Sequence, residues 1–303
     1  MHKSVLLNEA VYYLNLKDDS IVIDCTLGYG GHSSLILSKI PKGFLYAFDQ
    51  DKEAINYAEK RLDTINKNYD IINTNFKNLK KCMEDKEIKA DAILFDLGVS
   101  SPQLDNAERG FSFHKDAVLD MRMNKDDIKT AYDVVNNYSK EQLINIFYKY
   151  GEEKYSISIA SAIVKYRENK KIETTLELAE IIKSSVPLKY RNQTHPARKV
   201  FQAIRIEVNN ELEVFETALI DALSLLKKGG RICVITFHSL EDKICKRIFN
   251  EVSSIPPELK KLPIVPAEYE PKYKIIANIT PTEEEIKENP RARSSRLRVI
   301  ERG

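Results

Sequence analysis

Three aspartates and one cluster of glycines are the residues of this chain best placed to do chemistry. Asp24 ends the apolar run Ile21-Val22-Ile23, Asp49 ends Phe44-Leu-Tyr-Ala-Phe48, and Asp96 ends a run from Ala90 to Phe95. Between the first two lie Gly28, Gly30 and Gly31, followed by His32-Ser33 at the expected start of a helix. Glycines at that spacing let the backbone turn sharply and bring main-chain N–H groups against a ligand, and the positive end of the next helix favours polar or anionic atoms there. An acidic side chain at the tip of a second strand is suited to hold a ribose by its hydroxyls.

Two cofactors use such a turn. A dinucleotide fingerprint, G-x-G-x-x-G/A, would put a small apolar residue at position 33, where this chain has Ser33. The form D-x-T-x-G-x-G-G, with Asp24 four residues before the turn, is more typical of S-adenosylmethionine sites, where no pyrophosphate needs a cradle. A tight strand-to-helix turn with no ligand is the plain alternative.

Strands alternating with helices must position these residues. Apolar runs at 21–23, 44–48, 69–74 and 90–95 alternate with helical patterns, the clearest being Asp51 to Ile65 with Ala54, Ile55, Ala58 and Leu62 on one face. That order predicts an α/β fold with a parallel sheet, right-handed crossovers and a site at the strand C-termini, where Asp24, Asp49, Phe76 and Asp96 all fall. Upstream, Glu9 to Leu16 reads as a helix, with His2 and Lys3 as a mobile terminus. After Asp96 the chain reads as a polar loop to Asp105. Arg109–Phe113 and Leu119–Met123 then read as an extended irregular segment.

The texture turns helical from about 126 to 195. Ser139 with Gln142 and Thr174 with Glu177 form capping boxes ahead of apolar stripes, as expected of an inserted helical subdomain. From Lys183 to Arg205 there are six basic residues and no acidic one, with Tyr190, His195 and Phe201 interleaved, a composition suited to a nucleic-acid surface. Apolar positions from Val200 to Leu226 predict one long helix ending at Gly229-Gly230. A fifth strand, Arg231–Thr236, leads to Phe237-His238-Ser239-Leu240-Glu241-Asp242, where Ser239 and Asp242 can cap a helix. Five prolines between Pro256 and Pro271 mark a loop, and 273–277 and 296–300 read as the last strands.

The whole chain bounds the answer. Its 303 residues suffice for a large domain with an insertion, and 43% hydrophobic with 30% charged residues is the balance of a soluble globular protein. No apolar run approaches a membrane span and no signal peptide opens the chain, so a cytoplasmic protein without membrane partners is expected. Cys25, Cys82, Cys233 and Cys245 form no C-x-x-C pair, which points to reduced thiols and no metal site. A net charge of +2 means that nucleic-acid affinity must come from local patches.

These motifs resemble one family, the bacterial 16S rRNA cytosine-N4 methyltransferases (RsmH/MraW). The resemblance rests on DCTLGYGGHS at 24–33, FDQD at 48–51, DLGVSSPQLD at 96–105, RGFSF at 109–113, LDMRM at 119–123 and YGEE at 150–153. It continues through HPARKVFQAIRIEVN at 195–209, GGR…FHSLED at 229–242 and NPRARSSRLRV at 289–299, so it runs nearly end to end. Departures are small: Cys25 and Leu27 vary within the first motif, Val118 stands where a proline is usual, and the proline-rich loop is short. The resemblance implies a class I, Rossmann-like methyltransferase core with a mostly parallel seven-stranded sheet (1–108 and 204–303) and an inserted helical substrate domain (109–203). It implies S-adenosyl-L-methionine as cofactor, contacted at Gly30, Gly31, His32, Asp49, Phe76, Asp96 and Gln103. It implies methylation at N4 of a cytidine in the decoding region of 16S rRNA, within the small ribosomal subunit, with a homodimer left open.

Asp96 is the candidate catalytic residue, and Arg109, Phe111, Phe113, Lys189, Arg191, His195, Arg198, Lys199 and His238 are candidate RNA contacts. A methyltransferase acting on another RNA or a small molecule, a non-catalytic RNA-binding factor and a nicotinamide oxidoreductase are the competing readings. The basic segment disfavours a small substrate, the intact acidic set disfavours a relic, and Ser33 disfavours the oxidoreductase.

Overall fold

A computed structural model describes residues 4–193, 195–255 and 269–303. Most of the proline-marked loop, with His2 and Lys3, lies outside the described residues. The chain divides into two compact units, one running to Gly98 and resuming at Leu212, the other Val99–Glu211.

The first unit is built on seven strands: β1 (Ile21–Asp24), β2 (Phe44–Asp49), β3 (Tyr69–Asn73), β4 (Ala90–Asp96), β5 (Leu226–Thr236), β6 (Tyr273–Ile279) and β7 (Arg296–Arg302). They form one sheet in the order 3-2-1-4-5-7-6, in which β1 to β5 pair in parallel and β7 runs against both neighbours. The order reverses direction between β1 and β4, and an open α/β sheet binds ligands at the carboxyl ends of the strands around such a reversal. The central strands are buried on both faces, hence their unbroken apolar runs. One face packs Val22, Leu45, Leu94 and Ile235 against α1 (Leu7–Tyr13), α2 (Gly31–Lys39) and α3 (Lys52–Leu62). The other packs Ile23, Phe48, Ile93, Phe95 and Val234 under α4 (Leu79–Glu84), α12 (Glu211–Leu225) and α13 (Ser239–Val252). The first helix ends at Tyr13, earlier than its apolar spacing suggests.

The second unit holds α5 (Ser101–Asp105), α6 (Ala131–Asn137), α7 (Lys140–Lys149), α8 (Ser156–Arg167), α9 (Thr175–Ser184), α10 (Leu188–Arg191) and α11 (Ala197–Asn209) around a separate core. The Ser139–Gln142 capping box forms as its spacing predicts. At Thr174 only half of the expected box is made, because Glu177 accepts from the Glu173 N–H instead.

Three differences from the sequence reading have physical causes. The stretch after Asp96 contains a one-turn helix, nucleated by a capping box between Ser100 and Gln103. The long helix from 197 is two helices, because Asn210 takes a left-handed conformation (φ 50°) between α11 and α12. The units meet in sequence at 98/99 and 211/212 rather than at 108/109 and 203/204. The reason is packing: Val200, Phe201, Ala203, Ile204 and Val208 of α11 lie in the core of the helical unit, and Val99 and Leu104 pack against it.

Candidate active site

In the sheet unit the three strand-tip aspartates have distinct surroundings. Asp24 is fully buried; its Oδ2 accepts the Ser33 hydroxyl at 2.7 Å and its Oδ1 accepts the Thr26 N–H at 3.0 Å. Burial pushes its carboxyl above the ordinary range, with the Ser33 bond working the other way. Thr26 Oγ1 accepts the Asp96 N–H at 2.7 Å and lies 3.4 Å from Asp24 Oδ1, so a single hydroxyl joins the tips of β1 and β4.

Asp49 is half-buried at the tip of β2. Its Oδ2 accepts the Gly28 N–H and its Oδ1 the Asp51 N–H, each at 2.8 Å. Burial raises its carboxyl to about 6, against the downward pull of those backbone bonds. Asp51 caps α3 by accepting from the Glu53 N–H. Gly28 and Gly30 take φ of +50° and +73°, conformations that side chains rarely adopt, and a Cβ at Gly28 would meet nothing closer than 4.0 Å. The backbone there is therefore open to a ligand. Gly31 answers a different need: a Cβ on it would lie 1.8 Å from Ser4 Oγ.

His32, at the start of α2, is 4% exposed. Its Nε2 lies 3.1 Å from the Val5 carbonyl oxygen and its Nδ1 3.3 Å from Asp96 Oδ2. Both ring nitrogens are thus engaged within the protein. Burial works against a charged ring, but the neighbouring carboxylates, Asp96 first, prevail and hold its pKa above the ordinary histidine value. The other Asp96 oxygen, Oδ1, is buried with no hydrogen-bond partner among the described residues. A buried acceptor without a donor is costly, and this one sits where the fold binds ligands.

Phe76 follows β3 and packs edge-on against Phe95, with ring centroids 5.9 Å apart. At the tip of β5, Glu241 accepts the N–H groups of Phe237 and His238 at 2.7 and 3.3 Å, closing the N-terminus of α13. The His238 ring is mostly buried, with Nε2 3.0 Å from Glu241 Oε1. Asp242 is bidentate with Arg298 at 2.7 and 3.0 Å, a structural pair rather than a cap.

The helical unit sorts the candidate RNA contacts into two groups. Arg109 is 3% exposed and donates to the carbonyls of Arg122 and Met123, each at 3.0 Å, so burial removes it as a phosphate contact. Phe111 lies in the core of that unit and is not free to stack on a base. Arg191 donates to the carbonyls of Val186 (2.9 Å) and Ser184 (3.2 Å), closing the end of α9, and Lys199 donates to the Glu152 carbonyl at 2.9 Å. Gln103 uses its side-chain oxygen on the Ser100 N–H. Lys189 and Arg198 are exposed.

His195 is exposed and stacks on Phe113 with centroids 4.5 Å apart and planes 23° from parallel; His114 and Phe201 meet the same ring. Partial desolvation against the neighbouring rings, with the nearby His114, holds the His195 pKa below the ordinary value.

Sequence reasoning missed Thr26, the link between two strand tips, and Asn209. The Asn209 amide donates to the Met121 carbonyl and accepts the Met123 N–H, each at 2.8 Å, pinning Leu119–Met123 to the end of α11. The signal for Asn209 was its place in the last turn of an amphipathic helix whose other face is apolar. Among the described residues no cluster of His, Cys, Asp and Glu could hold a metal ion, and no helix is long and apolar enough to cross a membrane.

The MraW methylase family model matches residues 1–303. Among solved structures, an rRNA methylase from Streptococcus thermophilus is similar at 12% identity and a TM-score of 0.44, over 98% of this chain and 93% of that one. A Streptococcus mutans protein crystallised in complex with SAH is similar at 15% identity and a TM-score of 0.46, over the full length of both chains. TrmN from Thermus thermophilus is similar at 12% identity and a TM-score of 0.43, over 98% of this chain and 48% of that one.

Proposed function

The chain belongs to the MraW methylase family, and on that premise we propose that it methylates N4 of a cytidine in the decoding region of 16S rRNA, within the small ribosomal subunit. Its methyl donor is S-adenosyl-L-methionine. The residues at the strand tips fit that cofactor: Asp49 for the ribose hydroxyls, the open backbone at Gly28 continued through the main chain of Gly30, Gly31 and His32, and Phe76 after the third strand, with the Asp96 carboxylate turned to the substrate amine. When bound, the cofactor supplies a methyl carbon on a sulfonium sulfur, which keeps the bonding pair as it leaves.

The observation that carries this reading is the unpartnered, buried Oδ1 of Asp96. The exocyclic amine of cytosine has its lone pair delocalised into the ring, so it reacts once hydrogen bonds to its N–H groups draw that pair back onto nitrogen. Asp96 Oδ1 is an acceptor for one such N–H. It stabilises the positive charge that builds on nitrogen, and the proton nitrogen sheds leaves along the same hydrogen bond. Such catalysis is orientation and electrostatics held ready in the folded protein. The cytosine has to leave its stack to be reached.

The helical unit supplies RNA affinity through the exposed Lys189 and Arg198 and through the rings of His195 and Phe113, on which a base can stack. Arg109 and Phe111 act from beneath, by holding the irregular segment in place. Such an enzyme works in the cytoplasm, where ribosomal subunits are found.

The test is to incubate the protein with methyl-labelled S-adenosylmethionine and small ribosomal subunits, digest the RNA and identify the labelled nucleoside. N4-methylcytidine is the expected product. Label in a different nucleoside would assign another rRNA target, and absence of transfer would leave an RNA-binding role.

A further inference from the structure

We propose that His32 is a positively charged positioning residue: fixed as an imidazolium between the Val5 carbonyl and Asp96, it holds the Asp96 carboxylate turned so that Oδ1 faces the amine to be methylated. This rests on the methyl-transfer reading above. The ring's protonation follows from the partners of its two nitrogens. A backbone carbonyl only accepts, so the nitrogen 3.1 Å from the Val5 oxygen, Nε2, carries a proton. The other nitrogen, Nδ1, lies 3.3 Å from a carboxylate oxygen of Asp96. In a neutral ring with its proton on Nε2, Nδ1 would turn a lone pair on that oxygen, which is repulsive. The contact becomes attractive only when a second proton sits between them.

The surroundings place that proton on the ring. Asp24, from the tip of β1, adds a second negative charge near His32 and is itself held by Ser33 and Thr26. From β2, Asp49 is bonded to Gly28 on the same turn, and from α3 Arg61 reaches the Tyr29 carbonyl at 3.4 Å. The N-terminus of α2 and burial both oppose a cation here. The two carboxylates outweigh them, and the direction of the His32 pKa, upward, agrees.

The geometry then divides the Asp96 carboxylate into two jobs. Oδ2 is held by the ring, and Oδ1 is left as the single directed acceptor. The backbone N–H of Asp96, bonded to Thr26 Oγ1, fixes the other end of the residue. Loss of the imidazolium would leave Oδ2 facing a lone pair, and the carboxylate would be free to rotate.

Two measurements on the intact protein test this. Nitrogen-15 NMR of the histidine rings should show the His32 ring titrating above pH 6.5, and Asp96→Asn should return it to ordinary titration at or below that value. A neutral His32 ring at pH 7 in the wild type overturns the proposal without reference to any substrate. In single-turnover methylation of small subunits at saturating cofactor, His32→Gln should slow transfer by about tenfold or more. It should leave cofactor affinity within about threefold, and it should remove the loss of rate that deprotonation of His32 is expected to cause in the wild type as pH rises. The double variant His32→Gln/Asp96→Asn should be no slower than Asp96→Asn, since both act through one carboxylate. Independent, multiplicative losses, or a loss of cofactor affinity alone, would sink the positioning role. If His32→Gln fails to fold by thermal denaturation, the NMR comparison of wild type and Asp96→Asn still decides the ring's charge. A wild-type protein that labels no RNA fails the functional reading, whereas a neutral ring in an active enzyme fails this inference alone.

Discussion

Asp49 Oδ2 accepts the Gly28 N–H at 2.8 Å, so the tip of the second strand is bonded directly to the glycine turn that follows the first. The bond holds the carboxylate against that turn. It also makes the charge on Asp49 sensitive to whatever else donates to it.

Folding and cofactor binding should therefore depend on pH through Asp49. Its carboxyl is raised by burial from 3.8 to about 6. The folded protein holds a proton there that the unfolded chain has released, so this stabilising contribution is complete below about pH 4 and lost as pH rises through about 6, a change of roughly 3 kcal/mol. Ribose hydroxyls donating to the carboxylate favour its ionised form, so affinity for S-adenosylmethionine should rise from about pH 5 to about pH 7. Calorimetry across that range checks this. Asp49→Asn should flatten the dependence, and Asp49→Ala should weaken binding by roughly 1–3 kcal/mol.

Asp96→Asn keeps shape and hydrogen-bonding capacity while removing the charge. Turnover at saturating cofactor should fall by roughly 10²–10³, the scale of removing one preorganised electrostatic interaction, with little change in cofactor affinity. Single-turnover rates at two cofactor concentrations separate the alternatives: recovery at the higher one would make Asp96 a cofactor ligand only.

The basic residues of the helical unit should divide by exposure. Replacing Lys189 and Arg198 by alanine should reduce the salt dependence of RNA binding by about one unit of slope for each phosphate no longer neutralised, with melting temperature unchanged. Arg109→Met should behave oppositely. It leaves the carbonyls of Arg122 and Met123 without their buried donor, which costs roughly 1–3 kcal/mol of stability, and the salt slope should stay as in the wild type. Filter binding at several salt concentrations, with denaturant unfolding of each variant, tests both halves.

Gly151→Ala should destabilise the helical unit. An added Cβ would stand 2.7 Å from the Phe147 carbonyl oxygen and 2.8 Å from that of Lys199, both backbone atoms that cannot step aside cheaply. The expected loss is roughly 1–3 kcal/mol, read from denaturant unfolding. An unchanged midpoint would mean that α7 and α11 can separate there without cost.

Much of this protein was written locally. Runs such as Ile21–Ile23 and Ala90–Phe95 specify buried strands because a strand covered on both faces needs apolar residues at every position. The glycines and the three terminal aspartates mark a candidate site because parallel strands of an α/β sheet end on one edge. Helix starts were legible for the same reason, as Ser139 and Asp51 satisfy N–H groups within three residues of themselves.

What the tertiary structure alone decided concerns side chains whose partners are far away in sequence. Arg109 and Phe111 have the composition of an RNA surface, yet one binds carbonyls thirteen and fourteen residues on and the other fills a core. The heptad-like run from Val200 to Leu226 suggests one helix, because periodicity does not report a single left-handed residue at Asn210. The pairing of His32 with Asp96, sixty-four positions apart, is equally silent in the sequence. A residue type states which bonds it can make, and only the packed chain brings the second partner into place.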